Sequence, residues 1–254
     1  MRIVRFSYKK SVYWGVWQNG KAEIVEGSIY TAFKKTKDYL DTSQIRLLPP
    51  AEPSKIILVG LNYKEHAREL GMNIPHRPLF FLKPPSSLLA PGGYIIYPRS
   101  VRRLDYEAEL ALVIKRKARN ISPSSAWRYI LGYTCLNDIT ARDIQKREIQ
   151  WTHAKSFDTF CPLGPWLETN LDTSNLAIRL YKNGRIRQAS STSDFIFTPQ
   201  EIVSFVSSVM TLLPGDIIST GTPAGVGRLK AGDKVEVEIE GIGRLTNFVK
   251  KEQI

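Results

Sequence analysis

The chain has 254 residues, of which 43% are hydrophobic and 24% are charged, and it carries a formal net charge of +12. This length suits one large domain, or a main domain with a small appendage. No run is long and apolar enough to span a membrane, and the N-terminus lacks the apolar core of a signal peptide. We therefore expect a cytoplasmic protein with no membrane contact.

The basic charge balance raises nucleic-acid binding as a hypothesis. Lys and Arg are nevertheless spread along the chain, and they form neither a basic arm nor a helical stripe with interleaved aromatic residues. We therefore expect no nucleic-acid partner. The two cysteines, Cys135 and Cys161, lie outside any CxxC pair, which disfavours a disulfide framework or a zinc ribbon and favours small core residues.

Residues 1–50 are predicted to form a small N-terminal β-hairpin domain. Two aromatic and β-branched runs meet at Asn19-Gly20, which is a strong signal for a type I′ hairpin turn. The Pro-rich stretch 47–55 reads as a linker. The main domain is predicted over residues 55–254, and it begins with the buried strand "KIILVGLNY" at 55–63.

Three helices are predicted in the main domain from their N-terminal residues. Ser122 precedes a proline suited to the first helical position, Thr140 precedes "ARDIQKREIQ", and Thr198 begins a capping box with Glu201. A second hairpin is predicted at Asn183-Gly184, and the tail alternates like a strand pair. Many strands, few helices and no regular βαβ alternation predict a strand-rich α+β fold, mostly antiparallel, rather than a Rossmann sheet or a TIM barrel.

The stretch "RRLDYEAELALVI" (102–114) alternates like a strand but carries Asp105, Glu107 and Glu109 on one face. The even-numbered residues on the other face are mainly apolar and are predicted to pack. Neighbouring carboxylates repel each other, and burying them without a cation is costly. Either the acidic face is solvated, or it binds a hard divalent cation, which takes oxygen ligands.

Asp138 is a candidate third acid, because it ends the strand-like run that precedes the predicted Thr140 helix. Asp143 competes with it, but its position three residues after Thr140 favours a helix-end carboxylate. The three histidines, His66, His76 and His153, do not pair at ligand spacing, so zinc is disfavoured.

The ordered motifs "GLNYKEHARELG", "PLFFLKPPSSLLAPGG", "LDYEAELALVI", "GYTCLNDITARDIQ", "WTHAKSFDTFCPLGPW" and "GDIISTGTPAGVG" resemble the fumarylacetoacetate hydrolase family over residues 55–250. The likeness is to its smaller members, which include acylpyruvate hydrolases, oxaloacetate decarboxylases and isomerase/decarboxylases of aromatic breakdown. The resemblance implies a mixed β-roll and a homodimer. It also implies that Glu107, Glu109 and Asp138 bind Mg²⁺ or Mn²⁺.

The resemblance further implies catalytic roles for His66 and Glu69, which share a face at i, i+3 spacing, although such a pair alone also suits a helix surface. Lys155 is expected to contact the substrate's carboxylate or oxyanion. The same resemblance implies that Gln145 and Thr222 contact substrate or metal-bound water, and Lys83, which also matches a family position, is predicted to bind substrate. This chain has His153 and Ser156 where many relatives carry Arg and Gly, which bears on substrate choice.

The function that the resemblance implies is a metal-dependent reaction on a small 2-oxo or 2,4-dioxo acid, by C–C hydrolysis or decarboxylation through an enolate. A 2-hydroxyhepta-2,4-diene-1,7-dioate isomerase/5-oxopent-3-ene-1,2,5-tricarboxylate decarboxylase is the close alternative, and a dehydratase of sugar acids is a weaker one. A basic nucleic-acid-binding protein is the alternative from another class. These motifs do not separate hydrolase, decarboxylase and isomerase.

Overall fold

The computed structural model of the chain describes residues 1–253, and within that range strands far outnumber helices. The strand-rich α+β prediction is therefore confirmed. The N-terminal fifty residues form strands β1 (Arg2–Tyr8), β2 (Ser11–Gln18), β3 (Lys21–Gly27), β4 (Phe33–Asp41) and β5 (Arg46–Leu48).

The rest of the described chain carries short strands and helices in irregular alternation. Its first strands are β6 (Ile56–Val59), β7 (Phe80–Lys83), β8 (Leu88–Leu89), β9 (Tyr94–Tyr97), β10 (Leu104–Tyr106), β11 (Ala108–Ile114), β12 (Ile130–Asn137) and β13 (Thr140–Ala141). The later strands are β14 (Cys161–Glu168), β15 (Ala177–Lys182), β16 (Arg185–Ser191), β17 (Ile217–Ser219), β18 (Gly227–Leu229), β19 (Lys234–Ile239) and β20 (Gly243–Lys251). The helices are α1 (Lys64–Glu69), α2 (Pro123–Ala126), α3 (Arg142–Arg147), α4 (Thr152–Lys155) and α5 (Pro199–Val209). None of these helices is long and apolar enough to cross a membrane.

Three sheets organise the strands. The largest runs β4-β3-β2-β1-β14-β12-β11-β17-β6-β7, with β5 on β1 and β8 on β14. A five-stranded sheet runs β16-β15-β19-β20-β9, and a small one joins β13, β10 and β18. Most neighbouring pairs are antiparallel, as predicted; the parallel ones are β6/β17, β8/β14 and β9/β20. Strand β1 pairs with β14, so the N-terminal strands extend the sheet that holds the later strands.

The core lies on both sides of β11, which is buried along its whole length. Its even-numbered side chains, such as Leu110 and Leu112, pack into one cluster with Ile178 and Val237 of the five-stranded sheet. Ala111 and Val113 pack into a second cluster on the opposite face. The predicted packing of the even-numbered face is confirmed, and the odd-numbered face is buried as well, so the acids on it are not solvated.

Several local predictions hold and two need correction. Both Asn-Gly hairpins form, with positive φ at each turn residue, and Thr198 makes the predicted capping box with Glu201. The prediction that Thr140 caps a helix is wrong. Thr140 lies in β13, which pairs with β10, and its hydroxyl donates to the main-chain oxygen of Asp138. The predicted continuous strand over 102–114 is interrupted at Glu107.

Candidate active site

Three carboxylates meet where β11 lies beside β12. Glu107 occupies the break before β11, Glu109 is on β11, and Asp138 follows β12 directly. The antiparallel register, with Ala108 opposite Asn137, brings Asp138 beside Glu107, and the Asp138 N–H donates to the Glu107 carbonyl at 2.8 Å. One oxygen from each carboxylate lies within 4.8 Å of the others, and all three residues are buried.

Cationic side chains surround the first of these acids. Lys155 donates to Glu107 at 3.0 Å and also to Asp138, while Arg142 donates to Glu107. Burial alone would raise the pKa of Glu107, but Lys155 and Arg142 outweigh burial and lower that pKa to about 2. Lys155 is buried too, and Asp138 and Glu107 together hold its pKa above the ordinary value. Each member of the Lys155–Glu107 pair therefore stabilises the charged form of the other.

Glu109 has a different environment. Its carboxylate accepts the Ser219 hydroxyl at 2.5 Å and the Gly221 N–H at 3.0 Å. Burial, and then the nearby charges of Asp138 and Glu107, raise its pKa well above the ordinary value. A divalent cation between the three acids would relieve this repulsion. The all-oxygen donor set fits a hard cation such as Mg²⁺ or Mn²⁺, and Glu107, Glu109 and Asp138 are the residues that would hold it.

His66 and Glu69 form a hydrogen-bonded pair on α1. The His66 Nδ1 and a Glu69 carboxylate oxygen are 2.8 Å apart, and His66 is buried. Glu69 also accepts the Gly225 N–H, at 3.3 Å from each of its oxygens. The start of the helix is fixed from a distant segment, since Asp194 accepts the Glu65 N–H at 3.0 Å.

A cavity of about 460 Å³ joins these groups. Seven of the nine site residues predicted from the sequence line it, namely His66, Glu69, Glu107, Asp138, Gln145, Lys155 and Thr222. Glu109 and Lys83 are not among the lining residues. Lys83 is fully enclosed, donates to the Ile139 and Phe160 carbonyls and forms an ion pair with Asp138. The cavity also has an apolar part of its lining, formed by Leu61, Leu70, Met72, Leu79, Phe81 and Trp151.

The sequence analysis missed Arg142, which begins α3 and lines the cavity. Its guanidinium donates to Asp105 at 2.9 Å, to Glu107 and to Gln145 at 2.5 Å. Asp105 therefore binds arginines, Arg103 being the second, and does not join the carboxylate triad. The only sequence signal for Arg142 was its place inside the motif that carries Asp138. Asp143 lies in the first turn of α3, as predicted.

Comparison with known proteins identifies the family. Residues 55–250 match the model of the fumarylacetoacetate (FAA) hydrolase C-terminal domain, and residues 1–50 match the Rv2993c-like N-terminal model. The chain belongs to the fumarylacetoacetate hydrolase family. Enzymes of this family typically depend on a divalent metal, which agrees with the buried triad.

Named relatives within the family carry several activities. The mitochondrial oxaloacetate tautomerase Fahd2a of Rattus norvegicus is 42% identical over 82% of this chain and 70% of that protein. The structure of 2-hydroxyhepta-2,4-diene-1,7-dioate isomerase from Mycobacterium marinum matches with a TM-score of 0.94 and 39% identity over all of both chains. Fumarylacetoacetate hydrolase from Exiguobacterium antarcticum matches with a TM-score of 0.89 and 35% identity, over 99% of this chain and all of that one. These matches confirm the predicted family fold.

Proposed function

We propose that the protein is a divalent-metal-dependent enzyme that forms and protonates the enolate of a 2-oxo acid. The observation that carries this proposal is that Glu107 and Asp138, two of the three buried carboxylates, line one cavity with the His66–Glu69 pair. Mg²⁺ or Mn²⁺ bound to the carboxylates would supply a Lewis acid for the carboxylate and carbonyl oxygens of the substrate. Tautomerisation, decarboxylation and C–C cleavage all pass through this enolate.

His66 is the proton carrier in this proposal. Glu69 is a carboxylate and accepts hydrogen bonds only, so the Nδ1 of His66 is the donor in their 2.8 Å contact. The Nε2 is then the atom that takes a proton from substrate or returns it. Glu69 is itself oriented by the Gly225 N–H, which keeps the imidazole at a fixed angle to the cavity.

Lys155 supplies fixed positive charge where the oxyanion would form. Its ammonium lies between Glu107 and Asp138 and 5.0 Å from the centre of the Phe81 ring. The contacts with these two carboxylates hold the ammonium in place, and in this proposal Lys155 acts by electrostatic stabilisation rather than as a base. Gln145 and Thr222 supply neutral polar groups on the same walls, suited to orienting substrate oxygens.

C–C hydrolysis is the second candidate, and the apolar wall of the cavity favours it. A small 2-oxo acid does not need a wall of this extent, whereas an acyl chain beyond the 2-oxo acid group would pack against it. In this reaction His66 takes a proton from water, and the hydroxide adds to the carbonyl carbon of the acyl group. The C–C bond then breaks, its electron pair passes into the enolate, and His66 returns the proton to carbon.

The test follows the ultraviolet absorbance of two enols, oxaloacetate and acetylpyruvate, with Mg²⁺ and with excess EDTA. We expect the absorbance of at least one enol to fall. This fall should require the metal and should not occur with Glu107→Ala. Analysis of the products then separates the candidates, because tautomerisation leaves the keto acid intact and hydrolysis of acetylpyruvate yields acetate and pyruvate. The proposal would be refuted if the protein left the rates at their enzyme-free values for both substrates and for 2-hydroxyhepta-2,4-diene-1,7-dioate.

We also propose a cytoplasmic homodimer that acts on a small molecule and has no nucleic-acid partner. The family resemblance, which implies a dimer, supports the homodimer, and the dispersed Lys and Arg residues support the absence of a nucleic-acid partner. Sedimentation would measure the oligomeric state. A gel shift with a steep salt dependence would instead favour the nucleic-acid-binding alternative.

A further inference from the structure

One segment of the chain, residues 219–225, contacts two separate parts of the site. At its start, the Ser219 hydroxyl and the Gly221 N–H both donate to Glu109. At its end, the Gly225 N–H donates to Glu69. The position of this segment therefore affects a metal-binding carboxylate and the partner of the proton-carrying histidine at the same time.

Gln188 holds the middle of this segment. Its side-chain amide on β16 donates to the Thr222 hydroxyl at 2.9 Å and to the Pro223 carbonyl at 2.8 Å. Only 1% of Gln188 is exposed, so water does not compete for these bonds. Buried amides that are fully hydrogen-bonded are rigid, and losing one partner is costly.

The remaining atom of the same amide reaches the metal-binding strand. The Gln188 Oε1 accepts the N–H of Ala108 at 2.9 Å, across 80 residues of sequence. Ala108 lies between Glu107 and Glu109, at the break between β10 and β11. The orientation of both carboxylates depends on this peptide, and its N–H is held by Gln188 rather than by a neighbouring strand.

Backbone contact reinforces the link between β16 and the segment. Gly225 has a φ of +93°, and a Cβ on it would lie 2.6 Å from the Arg187 carbonyl. The segment therefore rests directly on the backbone of β16, next to Gln188. Gly225, whose N–H donates to Glu69, is the residue that makes this contact.

We propose that Gln188 is a positioning residue that couples the metal-binding carboxylates to the His66–Glu69 pair. This inference rests on the proposed function, because it assigns Gln188 to the same site. Only a neutral amide can accept from Ala108 and donate to Thr222 and Pro223 with one side chain. Gln188 is not among the residues that line the cavity, so its effect passes through the groups it holds.

Two substitutions separate the two ends of the amide. Gln188→Met keeps the approximate size and removes all three hydrogen bonds, whereas Gln188→Glu keeps an acceptor for Ala108 and removes the donor for Pro223. Gln18→Met, at an exposed position on β2, is the matched control. The readouts are the Kd for Mn²⁺ by calorimetry, kcat and KM at saturating Mn²⁺, and the melting temperature.

For Gln188→Met we expect the Kd for Mn²⁺ to rise about tenfold and kcat to fall about tenfold, the usual effect of losing an outer-shell partner. For Gln188→Glu we expect kcat to fall similarly while Mn²⁺ binds at least as tightly as in the native protein, because the contact to Ala108 remains. The control should match the native protein. If Gln188→Met does not fold, the split between kcat and Kd in Gln188→Glu decides alone.

A lower melting temperature with kcat and Kd within about twofold of native in both folded variants would overturn the inference, since the role would then be structural only. A native protein that binds Mn²⁺ but turns over none of the 2-oxo acids would refute the proposed function. In that case the Mn²⁺ affinity of Gln188→Met still tests the link to Ala108. A native protein that binds no Mn²⁺ would overturn both.

Discussion

Two stretches of this protein carry acids at alternate positions, and they differ in what lies beside them. In the first, Asp105 is on β10, Glu107 lies at the break and Glu109 is on β11. The strand that pairs with β11 leads into another acid, Asp138. Glu236 and Glu238 have the same spacing on β19. The strand that pairs with β19 places Arg244 directly opposite Glu238.

The contacts of the two strands follow from these neighbours. On β19, Arg244 donates to Glu238 at 2.8 Å and Lys234 lies 3.0 Å from Glu236. Hydrogen bonding to Arg244 outweighs burial and lowers the pKa of Glu238. On β11, burial and two other carboxylates raise the pKa of Glu109.

The difference shows that alternating acids do not by themselves indicate a metal site. On β19 the pattern is accommodated because Lys234 and Arg244 pair with the two glutamates, although Glu236 is as buried as Glu107. A buried strand accepts it when a cation site can form, and the described residues bring three ligand-bearing acids together only at Glu107, Glu109 and Asp138. The charged side chains that surround the acids, rather than the acidic strand itself, distinguish the two cases: a third acid, Asp138, joins Glu107 and Glu109, whereas Arg244 reaches both Glu236 and Glu238.

The largest expected effect follows from removing one of the three proposed metal ligands. Glu107→Gln keeps the shape of the side chain but removes its charge, so we expect no detectable Mn²⁺ binding by calorimetry and no turnover. Glu236→Gln on β19 is the matched control and should bind Mn²⁺ and turn over substrate like the native protein. Equal loss in both variants would contradict the distinction between the two strands.

The next effect separates proton transfer from metal binding. His66→Ala should lower kcat by about 10²- to 10⁴-fold, the usual range for a general acid or base. Its affinity for Mn²⁺ should stay within about twofold of native. His76→Ala is the control, because His76 is exposed and is not among the residues that line the cavity. Turnover that survives in His66→Ala would show that another group carries the proton.

Local signals in the sequence predicted the fold correctly where the interacting residues are close to each other in the sequence. The Asn-Gly turns and the Thr198–Glu201 box each depend on residues within a few positions of each other. Thr140 failed as a cap for the opposite reason. Its hydroxyl oxygen lies 3.1 Å from the Glu107 carboxylate, which is 33 residues away in sequence, and its backbone pairs with β10.

The same limit explains which site residues were missed. The triad was implied by motifs and by the spacing of Glu107 and Glu109. Arg142 and Gln188 have their decisive partners 35 and 80 residues away, so no local pattern marks them. Asp105 was grouped with the other acids because spacing cannot show that two arginines reach it.

The third prediction uses the raised pKa of Glu109 in metal-free protein. An acid whose pKa is higher in the folded state than in the unfolded state costs no stability at low pH. The cost appears as pH rises above the ordinary value of 4.5, where the unfolded chain ionises first. In EDTA, Glu109→Gln should therefore melt about 2–4 °C above native at pH 7.5, the shift that 1 kcal/mol produces in a chain of this size.

This difference should vanish near pH 4, where both states are protonated. Mn²⁺ should raise the melting temperature of the native protein, because it binds only the folded state, and should not raise that of Glu109→Gln. A metal-free variant that melts below native at pH 7.5 would show that the hydrogen bonds from Ser219 and Gly221 outweigh the repulsion.

The smallest expected effect has the opposite sign and comes from β19. The pKa of Glu238 is lowered, so the stability it contributes is present above the ordinary value of 4.5 and is lost as pH falls through the folded pKa. Glu238→Gln should destabilise the protein at pH 7.5 by less than about 1 kcal/mol, because the pair with Arg244 is partly exposed and screened by solvent. The loss should shrink in 1 M salt and at low pH, while Mn²⁺ binding stays unchanged.

Denaturant melts of Glu238→Gln and Glu109→Gln across pH would measure the pH dependence of both effects in one series. Slopes of the same sign would mean that the neighbouring strands do not set the charge environment of these two glutamates.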